Sequence, residues 1–268
     1  MQLSGAHTVI TGAGSGIGRA CAIRFAAAGA RVVVADLDLA AAQGVAGEIG
    51  GALALQVDVS SQAAIVELVS RARESGPIDL FFSNAGVPGP SGGPEAPDDE
   101  LQRTWEINVM AHVWAARAVL PEMRERGRGY LLSTASAAGL LTQISALGYS
   151  MTKHAAVSVA EWLAITYADD GITVSCLCPQ AVRTPMLELA LKDPVGATPL
   201  LSGGLLEPED VAEVVVEAIG DERFLILPHA DVARHLALKG AEPERWLKGM
   251  RRLVREGREG REGREPQG

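Results

Sequence analysis

The chain is short of several things, and each shortage closes a class of explanation. Cysteine occurs three times in 268 residues, too few for a disulfide framework. Cys176 and Cys178 fall two apart on a predicted strand, where their side chains point in parallel and bridge badly. Basic residues are outnumbered, 24 against 33 acidic, for a net charge of −9. A phosphate-backbone binder wants a basic face, so no nucleic-acid partner is expected. No apolar run approaches the roughly 18 residues of a membrane span, and no membrane partner is expected. Met1–Gly5 lacks the basic start and apolar stretch of an export signal, so the expected location is a reducing cytoplasm. No metal is expected.

What is present is an alternation. Short apolar runs at His7–Thr11, Arg31–Ala35, Leu53–Val57, Ile78–Ser83, Tyr130–Ser133, Ile172–Leu177 and Phe224–Leu227 read as strands. Several, such as Val32-Val33-Val34, are apolar without alternation, as strands covered on both faces are. Helical patterns fall between them, near 16–28, 39–48, 61–75, 98–126, 148–168 and 208–219. Regular β/α alternation predicts a doubly wound parallel sheet in a three-layer α/β/α domain. The chain reads as one domain over 1–254. Within it, 228–254 is an extension in which Trp246, Leu247, Met250 and Leu253 share a helical stripe. Residues 255–268 repeat Arg-Glu-Gly, carry no apolar residue and are expected to be disordered. Residues 184–206, broken by Pro and Gly, read as a mobile excursion.

Two motifs carry chemistry. After the first strand comes Thr11-Gly12-Ala13-Gly14-Ser15-Gly16-Ile17-Gly18. Gly12, Gly16 and Gly18 permit a tight turn, a close backbone approach and tight helix packing, with the following helix N-terminus facing a pyrophosphate. Asp36 ends the second strand. A carboxylate there accepts hydrogen bonds from the adenosine ribose hydroxyls and repels a 2′-phosphate, so NAD is the expected cofactor. The second motif is Tyr149 with Lys153, one helical turn apart. With three Tyr among 268 residues, chance supplies such a pair in roughly 0.045 of shuffled chains of this composition. A phenol with a free pKa of ~10 needs neighbouring positive charge to act as a base at neutral pH. Lys153 can supply it and can also hold a ribose hydroxyl. Ser136 could orient a substrate oxygen, with Ser133 and Thr134 as rival hydroxyls.

Together these residues resemble the short-chain dehydrogenases/reductases over residues 6 to about 220. The resemblance implies a Rossmann-type domain and assigns further residues. The Thr-Gly-x-x-x-Gly-x-Gly motif matches residues 11–18, with Ser15 and Ile17 among the cofactor contacts. Asp58-Val59 matches the adenine contact and Asn84-Ala85-Gly86 the motif after the fourth strand. Asn108 matches the helical Asn that carries a proton-relay water, and Ser136, Tyr149 and Lys153 match the catalytic set. Thr184 matches the nicotinamide-carboxamide contact, with Pro179 and Val182 beside it. One departure stands out: the usual Pro-Gly after the sixth strand is Pro179-Gln180.

The expected reaction is hydride transfer between NAD(H) and a secondary alcohol or ketone. A non-catalytic NAD-holding sensor or scaffold, or a same-fold dehydratase or isomerase, is the rival. Leu140, Leu141, Gln143, Gln180, Met186, Leu187 and Leu191 are the candidate substrate wall, mostly apolar, which suggests a hydrophobic, uncharged substrate. Arg183 and Lys192 are the cations that would argue otherwise. The resemblance also implies a homodimer or homotetramer built on the long helices.

Overall fold

The computed structural model describes residues 1–191, 193 and 203–262. Seven strands form one sheet: β1 (His7–Thr11), β2 (Arg31–Asp36), β3 (Leu53–Gln56), β4 (Leu80–Ser83), β5 (Gly129–Thr134), β6 (Ile172–Leu177) and β7 (Leu225–Ile226). Their order is β3-β2-β1-β4-β5-β6-β7 and every pairing is parallel. Valines and leucines without alternation fit this, because both sheet faces are covered. Helices α1 (Gly16–Ala27), α2 (Leu39–Ile49) and α9 (Pro208–Gly220) pack one face around Phe25, Val45 and Val215. Helices α3 (Gln62–Arg73), α5 (Ala111–Glu125) and α7 (Leu147–Tyr167) pack the other around Leu68, Val119 and Ala160.

Winding reverses between β1 and β4, which pair directly from Thr8–Leu80 to Ile10–Phe82. Below this pair, Asp79 joins three strands. It accepts from the His7 amide at 2.9 Å and from Arg126 at 3.0 Å, and its carbonyl accepts from the Tyr130 amide at 2.9 Å. At the other end, strand termini diverge and leave the crevice typical of such a reversal.

Three expectations need correction. The helix expected over 98–126 is α4 (Asp98–Trp105), a π-helical turn over Glu106–Met110, and α5. Asn108 sits inside that turn, fully buried, with its amide bonded outside the helix. Such turns recur at functional sites. The last strand is two residues, not four, because only Leu225 and Ile226 stand in register with β6. The tail does not start as disordered chain at Arg255: α11 (Pro243–Glu262) runs on to Glu262. Pairs such as Arg252–Glu256, 3.4 Å apart at i,i+4, support a helix that an apolar stripe has already begun.

The extension forms α10 (Ala230–Ala241) and α11, both on the chain's own surface. Val232 is buried, His235 meets the Trp246 ring at 5.9 Å, and Lys239 Nζ donates to the Leu140 carbonyl. Leu247, expected in the docked stripe, is exposed. Short helices α6 (Ala138–Leu141) and α8 (Pro185–Ala190), with a 3-10 turn over Ala168–Asp170, complete the described elements. The excursion expected over 184–206 contains residues 192 and 194–202, which lie outside the described residues, as do 263–268. Its far end returns to the body where Leu206 bridges to Val182. No helix among the described residues is long and apolar enough to cross a membrane.

Candidate active site

The crevice is one cleft of about 720 Å³ running along the C-terminal ends of the strands. At its start, the turn from β1 into α1 holds Gly12 at φ +63° and Gly16 at φ +52°. A Cβ on Gly12 would stand 2.8 Å from the Ala85 Cα, and one on Gly18 would strike the Gly12 carbonyl. These glycines therefore let β1, α1 and the end of β4 close on one another while leaving the α1 amides free to face an anion. Asp36 is held by two amides, Gly14 N at 2.8 Å and Asp38 N at 3.0 Å. Its carboxylate is fixed in the cleft wall where a ribose reader belongs.

Asn84 ties three strand ends together. Its amide N–H donates to Thr11 Oγ1 at 3.0 Å, its side-chain NH₂ donates to the Thr11 and Gly12 carbonyls, and its Oδ1 accepts from Thr134 Oγ1 at 2.9 Å. Asp58 accepts from the Ser60 hydroxyl at 2.7 Å, which holds its carboxyl below the usual range. Thr184 caps α8 through the Leu187 amide at 3.3 Å and stands against Gly16.

Deeper in the cleft lie Ser136, Tyr149 and Lys153. α7 presents Tyr149 and Lys153 on one face, with the Lys153 Nζ 5.6 Å from the phenol ring centre and donating to the Thr134 carbonyl at 3.0 Å. Burial presses the Lys153 ammonium down to about 8, against the opposing pull of Cys176 and Cys178. Burial also pushes the Tyr149 hydroxyl above its ordinary value, and the Ser136 hydroxyl pulls it back. The expected lowering by Lys153 is not what dominates here. The two groups share a desolvated pocket, and desolvation favours the neutral form of each. The Cys176 and Cys178 sulfurs beneath them are free and 3.8 Å apart.

The far lip is made by two loops stitched through Gly92. Its amide donates to the Ser145 carbonyl at 2.8 Å and its carbonyl accepts from Leu147 N at 3.0 Å. Thr142 and Ser145 sit at φ +71° and +62°, unusual for residues with a Cβ and frequent beside functional sites. This lip carries Gln143, Ile144 and Ser145 on one side and Val87, Pro88 and Pro90 on the other.

Most residues expected from the sequence do line this cleft: Gly12, Ser15, Gly16, Ile17, Asp36, Asp58, Val59, Asn84, Ala85, Gly86, Ser136, Gln143, Tyr149, Lys153, Pro179, Gln180, Val182, Thr184 and Met186. Five expected residues stand elsewhere. Leu191, just past α8, is exposed and does not line the cleft. Gly18 is buried behind the turn as a packing residue. Leu141, with Leu140, packs into the core below α6 instead of forming the substrate wall. Asn108 lies one layer back. Its Oδ1 accepts from Val87 N at 2.9 Å, while its Nδ2 donates to Val87 O at 2.9 Å and to Thr152 Oγ1 at 3.2 Å. That side chain is committed to protein partners.

Sequence reading missed the Val87–Ser91 wall, although a Pro/Gly-rich loop just after a strand's C-terminal end was the available signal. It also passed over His112, one turn beyond Asn108. The ring is buried with neither nitrogen hydrogen-bonded, and burial, reinforced by the Lys153 charge, drives its pKa down to about 3.

Residues 6–194 match the sequence model of the short chain dehydrogenase family. The chain belongs to that family. A 1-deoxy-11-beta-hydroxypentalenate dehydrogenase of Streptomyces exfoliatus is 38% identical over 92% of this chain and 95% of its own length. The human estradiol 17-beta-dehydrogenase 11 is 32% identical, over 94% of this chain and 84% of its own. A short chain dehydrogenase/reductase from Burkholderia phymatum, solved in complex with NAD, superposes with a TM-score of 0.84 at 30% identity, covering 91% of this chain and 96% of that one. The protein is thus an oxidoreductase of the short-chain dehydrogenase type, with the three-layer parallel fold the sequence implied.

Proposed function

We propose that this protein interconverts a secondary alcohol and a ketone with NAD(H), with Tyr149 as general acid/base. One observation carries the reading: Tyr149, Ser136 and Lys153 converge in the same cleft that opens on the glycine turn and Asp36. The Streptomyces and human relatives are named as dehydrogenases and the Burkholderia structure holds NAD. The cradle fits that dinucleotide, because the glycines clear space that a Cβ would fill and the fixed Asp36 carboxylate opposes a 2′-phosphate. When bound, NAD supplies the hydride acceptor and, oxidised, a positive ring beside the phenol. Tyr149 Oη takes the alcohol proton as the carbonyl forms and returns it in the reverse direction. Its raised pKa keeps the proton ready for ketone reduction. Ser136 Oγ holds the substrate oxygen. Lys153, largely charged at neutral pH, holds a ribose hydroxyl and favours phenolate. Asn108 serves by fixing Val87 and the π-helical turn.

The substrate end supports a hydrophobic, uncharged alcohol. Ile144, Met186, Leu187 and Leu189 line it, with Gln143, Ser145, Gln180 and Asp193 among its polar side chains. Arg183 is exposed and paired with Glu207 at 2.8 Å, outside the wall; Lys192 lies outside the described residues. A panel of alcohols and hydroxy acids, assayed with NAD and NADP by absorbance of the reduced cofactor, tests all of this. Turnover of apolar secondary alcohols with NAD is the expected result. No turnover with any alcohol, despite tight NAD binding, would favour a sensor; preference for anions would overturn the substrate class. The α7 surface also supports at least a homodimer or homotetramer, since Leu147, Met151, Trp162 and Ile165 are exposed along it, Ile165 by 82%. A monomeric mass in light scattering at micromolar concentration would refute assembly.

A further inference from the structure

His229 immediately precedes α10 and is only 3% exposed. Its two ring nitrogens reach the segment that leaves β6 for the cleft. The Gln180 amide N–H donates to Nδ1 at 3.2 Å, and Nε2 faces the Ala181 carbonyl at 3.1 Å. A backbone N–H can only donate, so Nδ1 must carry its lone pair and the ring proton belongs on Nε2. One neutral tautomer satisfies both of these partners, and the Gly204 main chain meets the ring as well. Burial holds the ring below the ordinary histidine value, which favours that neutral form.

The clamped residues adjoin the chemistry. Pro179, next to Gln180, accepts from the Ala137 amide at 2.8 Å and from Ser136 Oγ at 3.4 Å through its carbonyl. Ala181 also accepts from Leu206 N at 3.1 Å, and Arg183 N donates to Leu206 O at 2.9 Å, just before Thr184. The ring therefore joins the C-terminal helices to the wall that holds Ser136 on one side and Thr184 on the other. The family's usual glycine is Gln180 here, and the Gln180 amide is one end of the clamp.

We propose that His229 is a positioning residue, setting the Pro179–Thr184 wall so that Ser136 and the nicotinamide-side contacts are held in register. This rests on the reading of the cleft as an NAD and alcohol site. The test combines the parent protein with two variants. Nitrogen-15 NMR of the parent at neutral pH should show the Nε2–H tautomer; an Nδ1–H ring would overturn the clamp without any variant. His229→Phe keeps the ring volume and loses both bonds. Loss of one such bond is worth about tenfold. The Gln180 amide should then exchange with deuterium about tenfold faster, and the KM for NAD and kcat should each worsen by about tenfold, with the melting point lowered by only a few degrees. His229→Gln, with one acceptor and one donor, should recover part of each loss. A folded His229→Phe with parental exchange at Gln180 and parental kinetics would refute the role. Equal damage in His229→Gln would also refute it, by showing that bulk alone matters. A parent protein that binds no NAD would overturn the cleft reading and this inference with it, whereas a binding parent and an indifferent variant would overturn this inference alone.

Discussion

Replacing Asn108 by leucine removes three hydrogen bonds while filling nearly the same space, so that no water can enter in their place. Two of the bonds satisfy the amide and carbonyl of Val87, both at 2.9 Å. A buried backbone group left without a partner costs about 1–3 kcal/mol. Val87 is half-buried, so the lower part of that range applies, about 2–3 kcal/mol for the pair. The third bond leaves Thr152 with its donation to the Tyr149 carbonyl at 3.0 Å intact, and adds little. Each kcal/mol moves the midpoint by about 2–4 °C in a chain approaching this size, giving an expected fall of about 4–12 °C by calorimetry. Thr152→Val, which removes one weaker partner, should lower it by less. A midpoint for Asn108→Leu within about 1 °C of the parent would refute the idea that this side chain tethers the cleft wall.

Tyr149→Phe should reduce turnover by at least the 10²–10⁴ typical of a lost acid/base while NAD binding, followed by fluorescence titration, survives; near-parental turnover would sink the assignment. Asp36→Ala should weaken NAD more than NADP and narrow the preference between them, and equal affinity of the parent for both would defeat the role given to Asp36. The buried His112 ring predicts acid lability with a definite sign. Its folded pKa of about 3 lies below the ordinary 6.5, so the unfolded chain binds the proton first and stability falls as pH drops through that window. Between pH 6.5 and 5 this group costs about 2 kcal/mol, so urea titrations should show a shallower acid loss in His112→Phe; parallel curves for parent and variant would contradict it.

The sheet was legible because parallel strands covered on both faces are written as unbroken apolar runs, as in Val32-Val33-Val34, and because glycines mark the helix ends. The cofactor end was legible because backbone geometry demands particular residues at Gly12, Gly16 and Asp36. Less could be read where side chains act through one another. Periodicity is blind to a π-helical turn, so residues 98–126 read as one helix although Asn108 breaks it. Leu141 looked like substrate wall because it follows Ser136 closely, yet one turn of α6 rotates it into the core. The Arg-Glu-Gly repeat has no apolar residue to bury, but its charge spacing is helical. His229 reads from sequence as a turn histidine, and its clamp stays hidden because its partners are main-chain groups about 48 positions away.

The direct contact of β1 with β4 carries a consequence for how the protein comes into being. Thr8 lies beside Leu80 and His7 beside Asp79, so the centre of the sheet joins segments some 70 positions apart. Closing so long a loop is entropically slow. At roughly 5–20 residues per second, the ribosome delivers β1 several seconds before β4 exists. The nascent chain must hold β1 with only β2 beside it through that interval, its other edge open to anything else that offers one. The glycine turn and Asp36 are also made early, but Asn84, which locks them to the rest, arrives only with β4. A truncated or stalled chain would then hold the phosphate loop without the wall that closes it, and would compete poorly for the dinucleotide that the finished protein binds.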